Sequence, residues 1–179
     1  MQENVLTDVK MPFCPGCGHG IATKNIARSL EEMDLNPLDI IIVSDIGCCG
    51  IIDPLFAAHR IHGLHGRASG LALGVALGLS DTGKKVIAIQ GDGGVTIGLQ
   101  HLLEASRRNV DMTLIVLNNM VFGMTGGQMS GLSQEEFKSS KAPEEYDAPP
   151  YDICQLAHQA GAAYCSRMTL QGNFSDKLT

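Results

Sequence analysis

Gly91-Asp92-Gly93 and Asn118-Asn119 are the residues of this chain with the plainest capacity for chemistry, Asn119 following Asp92 by 27 positions. Each group ends an apolar run, Val86-Ile87-Ala88-Ile89 before the first and Met112-Thr113-Leu114-Ile115-Val116-Leu117 before the second. Two buried parallel strands would deliver these residues to one carboxyl edge of a sheet, where open α/β folds bind ligands. There the Asp92 carboxylate, the Asn119 amide oxygen and the Val121 carbonyl supply hard oxygen donors suited to magnesium, which shares its octahedral shell with phosphate. Gly93 and Gly94 bring backbone N–H groups to the start of the next helix, a place that attracts phosphate oxygens. The pattern points to a magnesium and diphosphate site.

Sulfur is the second chemical resource. Cys14 and Cys17 lie in the glycine-rich loop Phe13-Cys14-Pro15-Gly16-Cys17-Gly18-His19-Gly20, and Cys48-Cys49 in the turn Ser44-Asp45-Ile46-Gly47-Cys48-Cys49-Gly50. A Cys-x-x-Cys pair presents two thiolates to one metal centre, either an iron–sulfur cluster or zinc. Adjacent cysteines are awkward as two ligands of one tetrahedral ion, which places the cluster slightly ahead. A redox disulfide between Cys14 and Cys17 lacks the preceding strand expected of a thioredoxin-like site. Cys154 and Cys165, in an expected helix and strand, read as ordinary buried thiols.

The elements that must position these groups follow from periodicity. Ile21 to Met33 is helical in its apolar spacing and stops at Asn36-Pro37, and Ile40 to Val43 reads as a buried strand. A helix is expected from Gly66-Arg67 through Gly70, Gly74 and Gly78, whose fourfold spacing leaves a smooth face for another backbone. The Val86 and Met112 strands flank a helix from about Gly98 to Arg108, and Gly123 to Ser130 reads as a binding loop. Lys138 to Pro150 reads as a surface excursion, followed by a helix near Asp152 to Ala160 and a strand near Ala162 to Ser166. Strands alternating with helices give an α/β fold, a parallel sheet with helices on both faces.

With 179 residues, one domain over 1–179 is the default. A net charge of −6 without a dense Lys/Arg run argues against nucleic acid and anionic membranes. The longest apolar and glycine stretch, Leu71 to Leu79, is too short to span a bilayer, and six cysteines without a secretion signal suit a soluble, cytoplasmic protein. No Gly-x-Gly-x-x-Gly opens a helix after the first strand, so a nicotinamide site is not indicated.

Taken in order, Cys-Pro-Gly-Cys-Gly-His, Asp-Ile-Gly-Cys, His65-Gly66-Arg67-Ala68, Gly-Asp-Gly, Asn-Asn and Phe-Gly-Met-Thr-Gly-Gly-Gln span nearly the whole chain. Together they resemble the thiamine diphosphate-binding β subunit of the 2-oxoacid:ferredoxin oxidoreductases. The resemblance implies a thiamine diphosphate-binding fold, thiamine diphosphate and Mg2+ as cofactors, a 4Fe-4S cluster, and an α subunit carrying the pyrimidine-side domain. It implies coenzyme A-dependent oxidative decarboxylation of a 2-oxoacid, with electrons leaving through the cluster to ferredoxin.

By that resemblance the diphosphate contacts fall on Ile46, Gly47, Cys48, Cys49, His65, Gly66, Gly93, Gly94, Gly123 and Met124. Magnesium falls to Asp92, Asn119 and Val121, and the cluster to Cys14, Cys17 and Cys48, while Cys49 stands where the family often has a small residue. The family's fourth cluster cysteine lies further toward the carboxyl terminus than this chain reaches. Asp176-Lys177-Leu178-Thr179 reads as the middle of a helix, so a fragment of a longer subunit is expected, the alternatives being a fourth ligand from Cys49 or another chain. The glutamate that assists cofactor ionisation belongs to the partner subunit in this family, so no catalytic residue is expected here and the chain alone should be inactive. Competing readings are a non-redox thiamine diphosphate-dependent decarboxylase or acetolactate-type half-enzyme, and a zinc-stabilised, non-catalytic module. Which 2-oxoacid is used is not legible, because Ser130-Gly131-Leu132-Ser133 stands where many relatives carry proline and threonine.

Overall fold

The computed structural model describes residues 4–139 and 148–169. Its centre is a parallel sheet of four strands, β1 (Ile40–Ser44), β2 (His59–His62), β3 (Lys85–Gly91) and β4 (Thr113–Leu117), in the order β2-β1-β3-β4. The two central strands are covered on both faces, which suits their continuous apolar runs, and every residue of β1 is buried.

Alternation along these strands divides the core. Ile40, Ile42, Ile87 and Ile89 face helix α1 (Gly18–Glu32) and the 3-10 segment Gly47–Leu55. α1 buries Ala22, Thr23, Ile26, Ala27 and Leu30, a stripe at helical spacing, and a left-handed Asp34 turns the chain beyond its end. Ile41, Val43, Val86 and Ala88 face the other way, onto Ala68, Ala72 and Ala76 of α2 (Ala68–Gly78). Alanines spaced four apart let α2 lie flat on the sheet. Gly70 of the same helix meets the His101 ring, whereas Gly74 and Gly78 face open space.

β3 runs into α3 (Asp92–Ile97), and after Gly98 the chain restarts as α4 (Leu99–Arg108). The helix expected from about Gly98 to Arg108 is α4; a side chain at Gly98 would collide with the Gly66 carbonyl, and the chain bends at that crossing. Three further elements complete the fold: the hairpin of β5 (Val121–Phe122) and β6 (Gln128–Met129), and α5 (Ile153–Ala160). α5 starts on Asp152, whose carboxylate accepts from the Gln155 N–H at 3.0 Å, and packs Ala157 beside Leu102, Val95 and Leu132.

Two expectations are corrected. Ala162 to Ser166 forms no strand: the Ala163 N–H donates to the Asn109 side chain at 2.9 Å, and Cys165 packs against the α4–α5 cluster without joining a ladder. Cys154 and Cys165 are half-exposed rather than buried. β2 was not legible, because His59-Arg60-Ile61-His62 is a polar edge strand with only Ile61 turned inward. Of the expected 138–150 excursion, residues 140–147 lie outside the described residues, as does the expected helix at the chain's end. No helix among the described residues is long and apolar enough to cross a membrane.

Candidate cofactor site

β1 is followed in the chain by β2 on one side, and β3 and β4 stand on the other, so the strand order changes direction between β1 and β3. A crevice opens at the carboxyl ends of strands at such a point. Here it is an open cleft, lined by residues that follow β1 (Ile46 to Cys49), β3 (Gly91 to Gly94) and β4 (Asn119 and Val121 to Thr125), with His19 and His65.

At its floor the Asn119 amide meets two oxygens: its NH2 donates to Asp92 Oδ1 at 2.8 Å and to the Val121 carbonyl at 2.9 Å. Turned over, the same amide would present its oxygen beside those two. With a cation between them the spacing is the edge of a coordination octahedron, about 2.9 Å for magnesium–oxygen distances of 2.0–2.1 Å. Asp92 is buried, and its Oδ2 has no hydrogen-bond partner. Burial raises the Asp92 pKa, opposed by the Ser130 hydroxyl and by the N–H groups of Asp92, Asn119 and Gly93. A buried carboxylate with one orphaned oxygen beside two neutral oxygens fits a divalent cation.

The cleft walls are held by a carboxylate that sequence reasoning left inside a turn. Asp45 is fully buried; its Oδ1 accepts from Ile46 N at 2.8 Å and Gly66 N at 2.9 Å, and its Oδ2 accepts from Gln90 Nε2 at 2.8 Å. Its carboxylate therefore ties β1, the His65–Gly66 turn and β3 together. Any side chain at Gly94 would strike Asp45 Oδ2, and one at Gly93 would strike the Phe122 ring. Close packing thus accounts for both glycines, and neither has a positive φ. Gly66 does, at 71°, and its N–H is already engaged by Asp45, as is that of Ile46. Of the ten positions expected at the diphosphate, all but Gly66 line the cleft.

The cysteines divide in two. Cys48 faces the cleft, and its thiol is pushed up by burial and then by the nearby charges of Cys17 and Cys14. Cys14 is exposed, while Cys17 Sγ lies 3.4 Å from His19 Nδ1. His19 is buried, which lowers its pKa and favours the neutral ring. Cys49, one residue on, packs its side chain into the core beside Ile87 and Ile89, and burial drives its thiol far above the range in which it ionises. A thiol so placed is unsuited to be the fourth thiolate. Among the described residues, no three His, Cys, Asp or Glu side chains close on a single metal ion, so a mononuclear zinc site is not preformed.

Asp45, Gln90 and His19 were not anticipated as site residues, whereas Phe122 and Thr125 lie beside and within the expected binding loop. The available signals were an aspartate ending an all-apolar strand and a glutamine inside one. His19 lay within the Cys-Pro-Gly-Cys-Gly-His motif.

A family described as the C-terminal TPP binding domain of the thiamine pyrophosphate enzymes matches residues 45–179, and the chain belongs to it. More narrowly, it is 37% identical over 158 residues to the 2-oxoglutarate synthase subunit KorB of Methanocaldococcus jannaschii, covering 88% of this chain and 58% of that protein. It is 35% identical over 158 residues to the 2-oxoacid:ferredoxin oxidoreductase subunit beta of Saccharolobus solfataricus, covering 87% of this chain and 51% of the relative. Among solved structures, a 2-oxoglutarate:ferredoxin oxidoreductase from Magnetococcus marinus, with 2-oxoglutarate, coenzyme A and succinyl-CoA bound, superposes with a TM-score of 0.83 at 29% identity. That match covers 89% of this chain and 55% of the other. The resemblance to the β subunits and the parallel α/β fold are thereby borne out. The chain spans about half the length of the curated relatives it matches.

Proposed function

We propose that this chain is the thiamine diphosphate-binding part of a 2-oxoacid:ferredoxin oxidoreductase, catalysing coenzyme A-dependent oxidative decarboxylation together with an α subunit. The observation that carries the reading is the convergence of Asp92 Oδ1, the Asn119 amide and the Val121 carbonyl at 2.8 and 2.9 Å, at the switch point of the sheet. Those three groups hold Mg2+. The turn from Ile46 to Cys49, with His65, Gly93, Gly94, Gly123 and Met124, encloses the diphosphate. When bound, thiamine diphosphate stabilises the carbanion left as a 2-oxoacid loses carbon dioxide.

This chain's residues orient and shield that chemistry and supply no general acid or base of their own. Phe122 and Met124 border the cleft and exclude water from it. Cys14, Cys17 and Cys48 are the cluster ligands this chain contributes, and their loop brings the sulfur atoms next to the cleft, where an electron acceptor is needed. Ferredoxin then receives the electrons, in a cytoplasmic setting that keeps the thiols reduced. The names of the relatives favour 2-oxoglutarate as the first substrate to try.

The test is anaerobic reduction of a viologen dye by the native complex with coenzyme A and 2-oxoglutarate, then with pyruvate and branched-chain and aryl 2-oxoacids. Reduction dependent on one acid and on coenzyme A supports the proposal and names the substrate. Carbon dioxide release without dye reduction, with thiamine diphosphate and partner verified, would instead select a non-redox decarboxylase.

A further inference from the structure

Ser130 and Ser133 stand in the turn that follows β6, and they are as buried as the core, at 1% and 0% exposed. A buried hydroxyl must find partners. Ser133 Oγ donates to the Met120 carbonyl and accepts from the Ser130 N–H at 2.9 Å. Ser130 Oγ accepts from the Leu132 N–H at 3.2 Å, and its hydroxyl stands close enough to the Asp92 carboxylate to oppose the rise of that group's pKa.

One end of this turn therefore grips the Asn119–Val121 side of the oxygen site through Met120, and the other sets a hydroxyl beside Asp92. Met120 lies between Asn119 and Val121 with φ at 63°, a left-handed conformation that costs an unbranched residue about 1 kcal/mol or more. It persists because its N–H is held by Asn118 Oδ1 at 2.9 Å and its carbonyl by Ser133. That conformation aims the Val121 carbonyl and the Asn119 side chain at Asp92. The turn is itself fixed: the Gly131 carbonyl accepts from Tyr151 N at 2.9 Å, and a side chain at Gly131 would come within 3.0 Å of Thr96 and 3.1 Å of Tyr151. Thr96 in turn donates to the Asp92 carbonyl at 2.9 Å. The clamp is closed through α3.

We propose that the Ser130–Ser133 turn is the positioning device of the divalent-cation site, holding Asp92 on one side and the Asn119–Val121 turn on the other at the spacing that suits Mg2+ and disfavours larger ions. Ser130 and Ser133 are positioning residues and touch neither cation nor cofactor. Magnesium demands near-ideal octahedral geometry, whereas calcium accepts longer and more irregular contacts, so a rigid cage selects the smaller ion and a loosened one does not. The inference rests on the reading of Asp92, Asn119 and Val121 as cation ligands.

The experiment measures thiamine diphosphate binding by calorimetry in the full complex while MgCl2 or CaCl2 is titrated, for the wild type, Ser133→Ala and Ser130→Ala. Ser133→Ala loses the buried hydrogen bond to the Met120 carbonyl and Ser130→Ala the hydroxyl beside Asp92, so the magnesium concentration for half-maximal cofactor binding should rise about threefold to tenfold. The preference for magnesium over calcium should fall as well, a change that general destabilisation does not produce. If Ser133→Ala fails to fold, Ser130→Ala, which leaves the Met120 contact intact, decides the matter. Folded variants with an unchanged magnesium requirement and an unchanged magnesium-to-calcium ratio would overturn the proposal. A wild type whose cofactor binding ignores both cations would overturn the cation reading beneath it, and the two failures are told apart by the wild-type titration alone.

Discussion

Asp92 and Cys48 face the same cleft, but the surroundings of the two are built differently. Asp92 is 2% exposed, with Ser130, Asn119 and Val121 around it, each fixed by a turn whose hydrogen bonds close within this chain. Cys48 is half-buried, and its companions Cys17 and Cys14 grow progressively more exposed along a loop. Burial pushes both groups toward their neutral forms, yet at Asp92 amides and a hydroxyl oppose the push, whereas at Cys48 the neighbouring thiols reinforce it. The difference teaches that the oxygen half of the cleft is held by hydrogen bonds within this chain, with only the Asn119 amide left to turn. The sulfur half needs a cation among its thiols to hold them as thiolates.

The sharpest way to break this contrast is at Asp92. Asp92→Ala removes the only charged ligand of the oxygen site, and a charge-assisted contact contributes up to about 3 kcal/mol, so magnesium-dependent thiamine diphosphate binding should weaken by about a hundredfold. Calorimetry with and without magnesium reads this directly. An affinity within a fewfold of wild type would mean the cation is held elsewhere.

The next test separates the halves. Cys14→Ser should abolish the visible iron–sulfur absorbance and leave thiamine diphosphate affinity close to wild type, because Cys14 does not line the cleft. Cys48→Ser should disturb both, since Cys48 belongs to the cleft and feels the charge of Cys14 and Cys17. Full iron content in the Cys14 variant would place the cluster away from this loop, and equal effects of the two variants on cofactor binding would erase the distinction.

How much of this was legible depended on whether a signal was local. β1, β3 and β4 declared themselves as apolar runs, and Asp92 and Asn119 as polar residues at the ends of two of them, with the Val121 carbonyl two residues on. The spacing that made them visible is the spacing of one crossover between neighbouring parallel strands. Asp45 was invisible as a hub because its partners come from register: pairing Ser44 with Ile89 brings Asp45 beside Gln90 across 45 residues of sequence. β2 was missed because an edge strand need not be apolar. The expected strand at Ala162 to Ser166 failed for the opposite reason, its small and apolar residues being used to cover α4 and α5. The start of α4 at Gly98 was legible, but its contact with the distant Gly66 carbonyl was not, since no local pattern encodes such a contact.

The smallest effect lies one residue from the cleft and bears on where the sulfur half ends. Cys48 and Cys49 are adjacent in a 3-10 segment, so their side chains diverge, one toward the cleft and the other toward Ile87 and Ile89. Cys49 is 1% exposed, and ionising it there would bury an anion beside the Asp45 and Asp92 carboxylates. It therefore serves as a small apolar filler, and Cys49→Ala removes one sulfur from a packed core at a cost of about 1 kcal/mol. The variant should melt a few degrees lower while keeping its iron and its thiamine diphosphate affinity. Loss of iron on that substitution would make Cys49 a cluster ligand after all, requiring the segment to rotate its thiol out of the core, and the division between a sheet-facing and a cleft-facing cysteine would fall with it.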